Sequence, residues 1–311
     1  MRGNIFLYGV SGLIIATCLL GSAGAEIKNF DSRIVEVFTA DIARLESKGW
    51  WVRQLVLDDL GGNEKHMVAL FANSPDLEGL GEPPVMLRVC VAEGDRVTPI
   101  FTREFFVAPG VTDIEVVDFN RDGSKEIVLS GGTGGSAWQG WGIFLLSVNG
   151  KEAREIDLMP PPSSGDLEHG MIPAAHLSDL DGDGICELML LDARFELAYG
   201  LCHAASPGAY QVYRWEEDHF QEKSSAFPFY YEMVMQDIRK WWLEGVDDPD
   251  DYYVGKAISL FLNYYYKGER GKGFKELERL LLEPEMKRKW EALPGYAKVS
   301  EILRDLEREC R

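Results

Sequence analysis

The sequence predicts a mainly β protein with helical additions: three four-stranded, propeller-like blades forming a partial or open β-propeller, with an N-terminal helix and a C-terminal α-helical region. Three observations lead to this fold class. An acidic loop flanked by apolar, strand-like runs recurs with a period of about sixty residues. A matched pair of strand-like runs follows each loop. After Pro228, the apolar residues change to helical spacing.

These changes of pattern divide the chain into segments. We expect the following order: a signal peptide over 1–25, a helix within 26–50, repeats over about 51–108, 109–168 and 169–225, and a helical region over 226–311.

Residues 1–25 have the composition of a secretory signal. Arg2 precedes an apolar run over 5–20, and a small-residue stretch at 23–25 resembles a cleavage site. The run is shorter than the ~20 apolar residues that a membrane-spanning helix needs. We therefore expect a periplasmic or secreted protein whose mature chain begins at Glu26. An uncleaved membrane anchor and lipidation of Cys18 are the alternatives.

The charge of the chain argues against two classes of partner. The formal net charge is −19, which disfavours binding to nucleic acid or to an anionic membrane surface. No segment after the predicted signal is apolar for long enough to span a bilayer.

Helical patterns lie at both ends of the repeat region. Residues 31–48 predict a helix with Asp31 as its N-cap. Beyond Pro228, one apolar stripe ends at Gly245 and a second, opened by Asp248-Pro249, ends at Gly268. Shorter amphipathic segments follow at 273–283 and 296–309.

The repeat is clearest around the two acidic loops. The stretches GVTDIEVVDFNRDGSKEIVLSGG from 110 and GMIPAAHLSDLDGDGICELMLLD from 170 align, and WVRQLVLDDLGGNEKHMVALFAN from 51 is a weaker copy. Polar turns divide the later strand-like runs at 85–101, 142–158 and 209–225, as in β-hairpins. Each repeat therefore predicts a four-stranded meander, the plan of a propeller blade.

The acidic loops follow the pattern D-x-[DN]-x-D-G-x-x-[DE]. Oxygens at positions 1, 3, 5 and 9 converge, position 7 adds a backbone carbonyl, and Gly at position 6 permits the bend. Five or six hard oxygens suit Ca²⁺ better than Zn²⁺. The predicted ligands of two Ca²⁺ ions are Asp118, Asn120, Asp122, the Ser124 carbonyl and Glu126 in one loop, and Asp179, Asp181, Asp183, the Ile185 carbonyl and Glu187 in the other. A metal-free, Asx-rich turn is the alternative.

Neither loop is an EF-hand, because Leu129 and Leu190 stand where its last acidic ligand would be and strand-like runs flank both loops. The loop that begins at Asp58 carries Leu60 and His66 at positions 3 and 9. We expect no metal in that loop.

The loop, its flanking strands and the repeat length resemble the FG-GAP or VCBS repeats of integrin-alpha-type β-propellers over residues 51–225. The stretch FVAPGVTDIEVVDFNRDG also carries Ala-Pro-Gly near the place of the family's Gly-Ala-Pro. This resemblance implies Ca²⁺ as a structural ligand and does not imply an activity. Only three blades are readable, whereas closed propellers have four to eight. Either the terminal helices cover the open edges or chains self-associate.

Other patterns offer weaker chemistry. The glycine-rich stretch 130–142 lacks the Lys-Ser/Thr ending of a phosphate-binding loop, and we regard it as a ligand-contacting loop with Trp138 and Trp141 partly exposed. The five histidines show no metal spacing. The aromatic residues over 241–266 predict a helical core, with a peptide-binding groove as the alternative.

Four of the five cysteines lie beyond the predicted signal, which contains Cys18. An even number in an oxidising compartment permits disulfides, and of three connectivities we favour one with Cys186 paired to Cys202 by an intervening hairpin. Buried thiols are the alternative.

Together these features favour an exported calcium-binding protein that acts as a non-catalytic binding or scaffolding module for a protein or carbohydrate ligand. The alternative is an extracytoplasmic hydrolase or lyase that acts on a polymer, with the repeats as its framework. No catalytic residue is assigned from the sequence.

Overall fold

The structure is a computed structural model that describes residues 31–61, 64–73, 84–107, 112–132, 141–156, 171–243, 250–292 and 295–309. The predicted signal peptide, Trp138 and Cys310 lie outside these residues. Within the described part, no helix combines the length and the apolar composition needed to cross a bilayer.

The described residues form three antiparallel sheets, and each sheet holds four consecutive strands in chain order. The first contains β1 (Trp51–Asp58), β2 (His66–Ala72), β3 (Val85–Glu93) and β4 (Arg96–Phe105). The second contains β5 (Asp113–Val117), β6 (Glu126–Gly132), β7 (Trp141–Asn149) and β8 (Glu152–Glu155), with the short strand β9 (Ile172–Pro173) beside β7. The third contains β10 (Ala175–Ser178), β11 (Glu187–Leu191), β12 (Tyr210–Glu216) and β13 (His219–Glu222).

Besides the sheets, the described residues form six α-helices. They are α1 (Ser32–Glu46), α2 (Pro228–Leu243), α3 (Asp250–Lys267), α4 (Arg270–Leu281), α5 (Pro284–Glu291) and α6 (Val299–Glu309). The fold is therefore mainly β with helical additions, as predicted. The strands close no barrel among the described residues.

The chain forms two compact units. The described residues within Met1–Gly134, Ile143–Ile156 and Leu167–Met171 belong to the first, and those within Gly135–Gly142 and Ile172–Arg311 belong to the second. The first unit thus contains α1, the first sheet and most of the second sheet. The second unit contains the third sheet and helices α2 to α6.

In the first unit, strand β2 is buried on both faces because each face has its own apolar partner. Alternate side chains of a strand point to opposite faces. Met67 and Phe71 pack with Phe38 of α1, whereas Val68 and Leu70 join a core that both sheets of this unit share. Continuous burial along β2 follows from these two layers.

Helix α1 begins where the sequence predicts. The Asp31 carboxylate accepts a hydrogen bond from the Arg33 amide at 2.9 Å and caps the first turn. On the buried face, Asp41 accepts a hydrogen bond from the Arg88 Nε of β3 at 3.0 Å. An ion pair therefore joins the helix to the sheet beneath it.

In the second unit, helix α3 lies in the core and packs closely against the 3₁₀ turn that contains Ala205. Val254, Ile258 and Phe261 are fully buried in a cluster that also holds Val212 of the third sheet. Gly255 lies so near the Ala205 carbonyl that a Cβ at this position would stand 1.8 Å from its oxygen. Position 255 therefore has no room for a side chain and requires glycine.

The helical region contains one helix that the sequence analysis missed. Helix α5 follows the predicted segment 273–283 directly, and the Glu283 side chain caps it by accepting a hydrogen bond from the Met286 amide at 2.8 Å. Pro284 at the first helical position is the signal that indicates this start.

The proposed pairing of Cys186 with Cys202 is wrong: no disulfide joins the two residues. The prediction required a hairpin between them. Instead, the segment forms three short 3₁₀ turns, Ala193–Phe195, Ala198–Gly200 and His203–Ala205. Cys202 is exposed, and Cys90 is a buried thiol in β3.

Candidate metal centre

The third acidic loop, residues 179–187, joins two neighbouring antiparallel strands. Ser178 pairs with Glu187 at the point where β10 and β11 meet, so the loop begins and ends at adjacent positions. Asp179, Asp181 and Glu187 each present one carboxylate oxygen, and these oxygens lie within 4.8 Å of one another. The three side chains could hold a metal ion.

The loop backbone curls around its own carboxylates. The two oxygens of Asp179 accept hydrogen bonds from the Gly182 amide at 2.8 Å and the Gly184 amide at 3.0 Å. Both glycines have positive φ angles, 76° and 82°, which side-chain-bearing residues adopt at a cost. The glycine at position 6 thus permits the bend that brings Asp179 near Glu187.

Glu187 supplies the observation that points to a ligand. Its side chain is fully buried, and its Oε2 accepts a hydrogen bond from the Leu180 amide at 2.9 Å. Its Oε1 is buried without a hydrogen-bond partner. Burial raises the pKa of this carboxyl group. A buried carboxylate oxygen without a partner is costly, and a cation at the triad would satisfy it.

Asp183 is not one of these three carboxylates. Its Oδ1 accepts a hydrogen bond from the Ile185 amide at 2.8 Å, and its Oδ2 pairs with the Arg214 guanidinium from β12. The same guanidinium lies 3.1 Å from Asp181 Oδ2. Sequence analysis missed Arg214, since nothing in the loop spacing indicates a contact from a later strand.

The second acidic loop, residues 118–126, repeats most of the side-chain-to-amide hydrogen bonds of the third loop at the same positions. Asp118 accepts from the Gly123 amide at 3.1 Å, Asn120 from the Asp122 amide at 3.0 Å, and Asp122 from the Ser124 amide at 2.7 Å. The two loops therefore share one backbone conformation, as their sequences predict.

The second loop also has a buried acid and an unsatisfied oxygen. Glu126 is buried, and burial, with a smaller effect of the nearby Asp122 charge, raises its pKa to about 7. Its Oε2 accepts a long hydrogen bond of 3.4 Å from the Phe119 amide. Asp118 Oδ1 is buried and has no hydrogen-bond partner. Position 3 is an amide here, so the loop has fewer carboxylates than the third loop.

The first loop has an apolar residue at position 3 and a histidine at position 9, and a lysine of the second loop lies beside its acid at position 1. Leu60 at position 3 is fully buried in the shared core. Asp58 Oδ2 lies 2.6 Å from Lys125 Nζ, and His66 Nε2 lies 2.7 Å from the Gly150 carbonyl oxygen. The acid at position 1 thus has a side-chain cation as its partner.

Trp141, the other residue singled out by the sequence, begins strand β7 and is 44% exposed. It lines a shallow, open depression of about 190 Å³ together with His176, Leu191 and Tyr210. The rings of His176 and Tyr210 meet edge to face, with centroids 4.9 Å apart. This is an aromatic surface in the second unit.

The aromatic residues of the helical region are mostly packed. Tyr264 and Tyr266 are buried in the core of the second unit. Tyr266 donates a hydrogen bond of 2.6 Å to the buried carboxylate of Asp192. Trp241 and Tyr253 contact each other at 5.1 Å between ring centroids. Tyr264 and Tyr266 therefore lie in the interior of the helical region, whereas Trp241 and Tyr253 are half-buried.

Comparison of the chain with protein-family models, with curated proteins and with solved structures finds no match.

Proposed function

We propose that the chain is an exported calcium-binding β-repeat protein that acts as a non-catalytic binding or scaffolding module. The observation that carries this proposal is the unsatisfied Oε1 of Glu187, which faces no hydrogen-bond partner although its side chain is fully buried beside two further carboxylates. A divalent cation would balance the three charges and satisfy that oxygen.

Calcium is the ion that best suits these donors. All candidate ligands are oxygens of carboxylates, an amide or backbone carbonyls, which favours hard cations over Zn²⁺. A flexible loop that supplies several ligands within a few residues suits Ca²⁺, whereas Mg²⁺ demands a tighter octahedron and retains its water. Asp183 and the Ile185 carbonyl would complete the site once an ion is bound.

A second ion would occupy the second loop. Asp118 Oδ1 is buried without a partner, and the hydrogen bonds of this loop match those of the third loop by position. Asp118, Asn120, Asp122, the Ser124 carbonyl and Glu126 would be its ligands. Two Ca²⁺ ions per chain are therefore proposed.

The resemblance to FG-GAP or VCBS repeats supports a structural role for the ions. In each acidic loop, an ion would tie the first two strands of one sheet at the end where the loop joins them. The three meanders would then act as rigid, propeller-like blades that display a binding surface. The strand order within each sheet is compatible with this arrangement.

The aromatic depression around Trp141 is the proposed contact surface for the ligand. Exposed aromatic rings that also carry polar atoms favour stacking on sugars or on peptide side chains. Trp141→Ala should weaken the binding of such a ligand and leave Ca²⁺ binding unchanged, because no residue of the loops is altered. Glycan and peptide arrays probed with both proteins would measure this difference.

Export rests on the composition of residues 1–25. The intact mass of the natively processed protein should correspond to a chain that begins at Glu26. A mature protein that retains the apolar segment would contradict export as a cleaved protein.

Calcium titration of chelator-stripped protein tests the central proposal. We expect two Ca²⁺ per chain, one lost in Asp179→Ala and the other in Asp118→Ala. The matched control is Asp95→Asn, which alters an exposed acid paired with Arg33 and should retain both ions. An ion that binds only the folded state stabilises it by about 2.7 kcal/mol at roughly one hundred times its dissociation constant. Absence of Ca²⁺ binding, with a melting temperature unchanged by chelator, would refute the proposal.

A further inference from the structure

Among the predicted side-chain ligands, the third loop differs from the second only at position 3, and one facing strand residue differs as well. At position 3 the second loop has Asn120 and the third has Asp181. Counted from their hairpin turns, β7 and β12 place Ser147 and Arg214 at the same register position, opposite Arg154 and Gln221 respectively. At these two equivalent positions, the second repeat has an amide and a serine, and the third repeat has an acid and an arginine.

The side chains of Asp181 and Arg214 contact each other. Arg214 lies 3.1 Å from Asp181 Oδ2, and it also holds Asp183 Oδ2. Each of these two acids uses its other oxygen, Oδ1, to accept a backbone amide of the loop. The guanidinium thus occupies carboxylate oxygens that a cation would otherwise bind.

We propose that Arg214 is an intramolecular competitor of the cation and sets the affinity of the third loop. This inference rests on the proposed function, because it presumes that the triad of Asp179, Asp181 and Glu187 takes up Ca²⁺. The unsatisfied, fully buried Oε1 of Glu187 lies outside the contacts that Arg214 makes with the loop. The arginine therefore neutralises the loop only in part.

Electrostatics gives the direction of the effect. A bound divalent cation and a guanidinium repel each other at short range, so each weakens the binding of the other to the same carboxylates. All three side chains of this ion-pair network are partly exposed, which screens their interaction. Removal of Arg214 should raise the Ca²⁺ affinity of the third loop roughly tenfold.

The experiment isolates the third loop in a parent chain that carries Asp118→Ala. Arg214→Met removes the charge while it keeps the apolar stem, and Arg214→Ser introduces the residue of the second repeat. Arg33→Ser serves as the control, because it removes one positive charge from an exposed ion pair elsewhere. Circular dichroism verifies that each variant is folded before Ca²⁺ is titrated calorimetrically.

We expect both Arg214 variants to bind Ca²⁺ more tightly than the parent, and Arg33→Ser to bind it as the parent does. If the Arg214 variants bind Ca²⁺ and the parent does not, this result would also support competition between Arg214 and the cation. Equal affinities in the parent and in both Arg214 variants would overturn the inference and leave the proposed function intact. If no protein, the unmodified chain included, binds Ca²⁺, the proposed function itself fails.

Discussion

Lys125 Nζ lies 2.6 Å from Asp58 Oδ2 and connects the second acidic loop to the first, degenerate one. The Lys125 amide also donates a hydrogen bond of 2.7 Å to the Leu60 carbonyl oxygen. One residue of the second loop thus supports the backbone and balances the charge of the first. The lysine thus pairs with the acid at position 1, and the equivalent acid in each of the other two loops is a proposed Ca²⁺ ligand.

Lys125→Met should lower the free energy of unfolding, because Asp58 would lose its counter-charge. The pair is partly exposed, so the loss should be about 1 kcal/mol or less and should shrink in high salt. Urea denaturation at two salt concentrations measures it. The number of bound Ca²⁺ ions should not rise, because Leu60 offers no ligand. A variant as stable as the unmodified protein at low salt would contradict this role.

Asp41→Ala should be more destabilising than the loss of any exposed ion pair. Asp41 and Arg88 are both buried, and Arg88 Nε donates to Asp41 Oδ2 at 3.0 Å. Removal of the acid leaves a buried guanidinium uncompensated, at a cost of about 3 kcal/mol. Chemical denaturation should show this loss in Asp41→Ala and almost none in the control Asp95→Asn. Equal stability of the two variants would show that Asp41 contributes no more than a surface charge.

The individual sheets could be predicted from the sequence, because the hairpins and acidic loops are local patterns. Each strand of a meander pairs with its chain neighbour, so short-range spacing predicts the order. The relation between one sheet and the next depends on side-chain packing over long separations. Local spacing therefore predicts each meander. It does not predict how the meanders are arranged, so the blade-like array is a proposal.

The candidate site was only partly predictable for the same reason. Asp179, Asp181 and Glu187 belong to one loop, and their spacing suffices to bring them together. Arg214 reaches that loop from β12, across a long stretch of chain, and Lys125 reaches Asp58 in a similar way. Such contacts depend on the tertiary fold, so loop spacing contains no sign of them.

Alkylation should distinguish the cysteines of the folded protein. Burial raises the pKa of the Cys90 thiol to about 12, so this residue has almost no thiolate at pH 8. Cys202 is exposed. Iodoacetamide should modify Cys202 in the native protein and reach Cys90 only after denaturation, as mass spectrometry of peptides would show. Rapid native labelling of Cys90 would contradict its burial in β3.

Gly255→Ala should destabilise the second unit although alanine favours helices. A Cβ at Gly255 would lie 1.8 Å from the Ala205 carbonyl oxygen, so α3 or the facing 3₁₀ turn must move. Overpacking of this kind costs about 1–3 kcal/mol, which exceeds the gain of roughly 1 kcal/mol in helix propensity.

Gly271→Ala is the matched control for this change, since it lies in helix α4 and a Cβ there meets no atom within 4 Å. We expect Gly271→Ala to raise the melting temperature slightly or leave it unchanged, and Gly255→Ala to lower it by several degrees. Differential scanning calorimetry of the two variants beside the unmodified protein makes the comparison. Two variants of equal stability would mean that α3 does not approach Ala205 as closely as the structure places it.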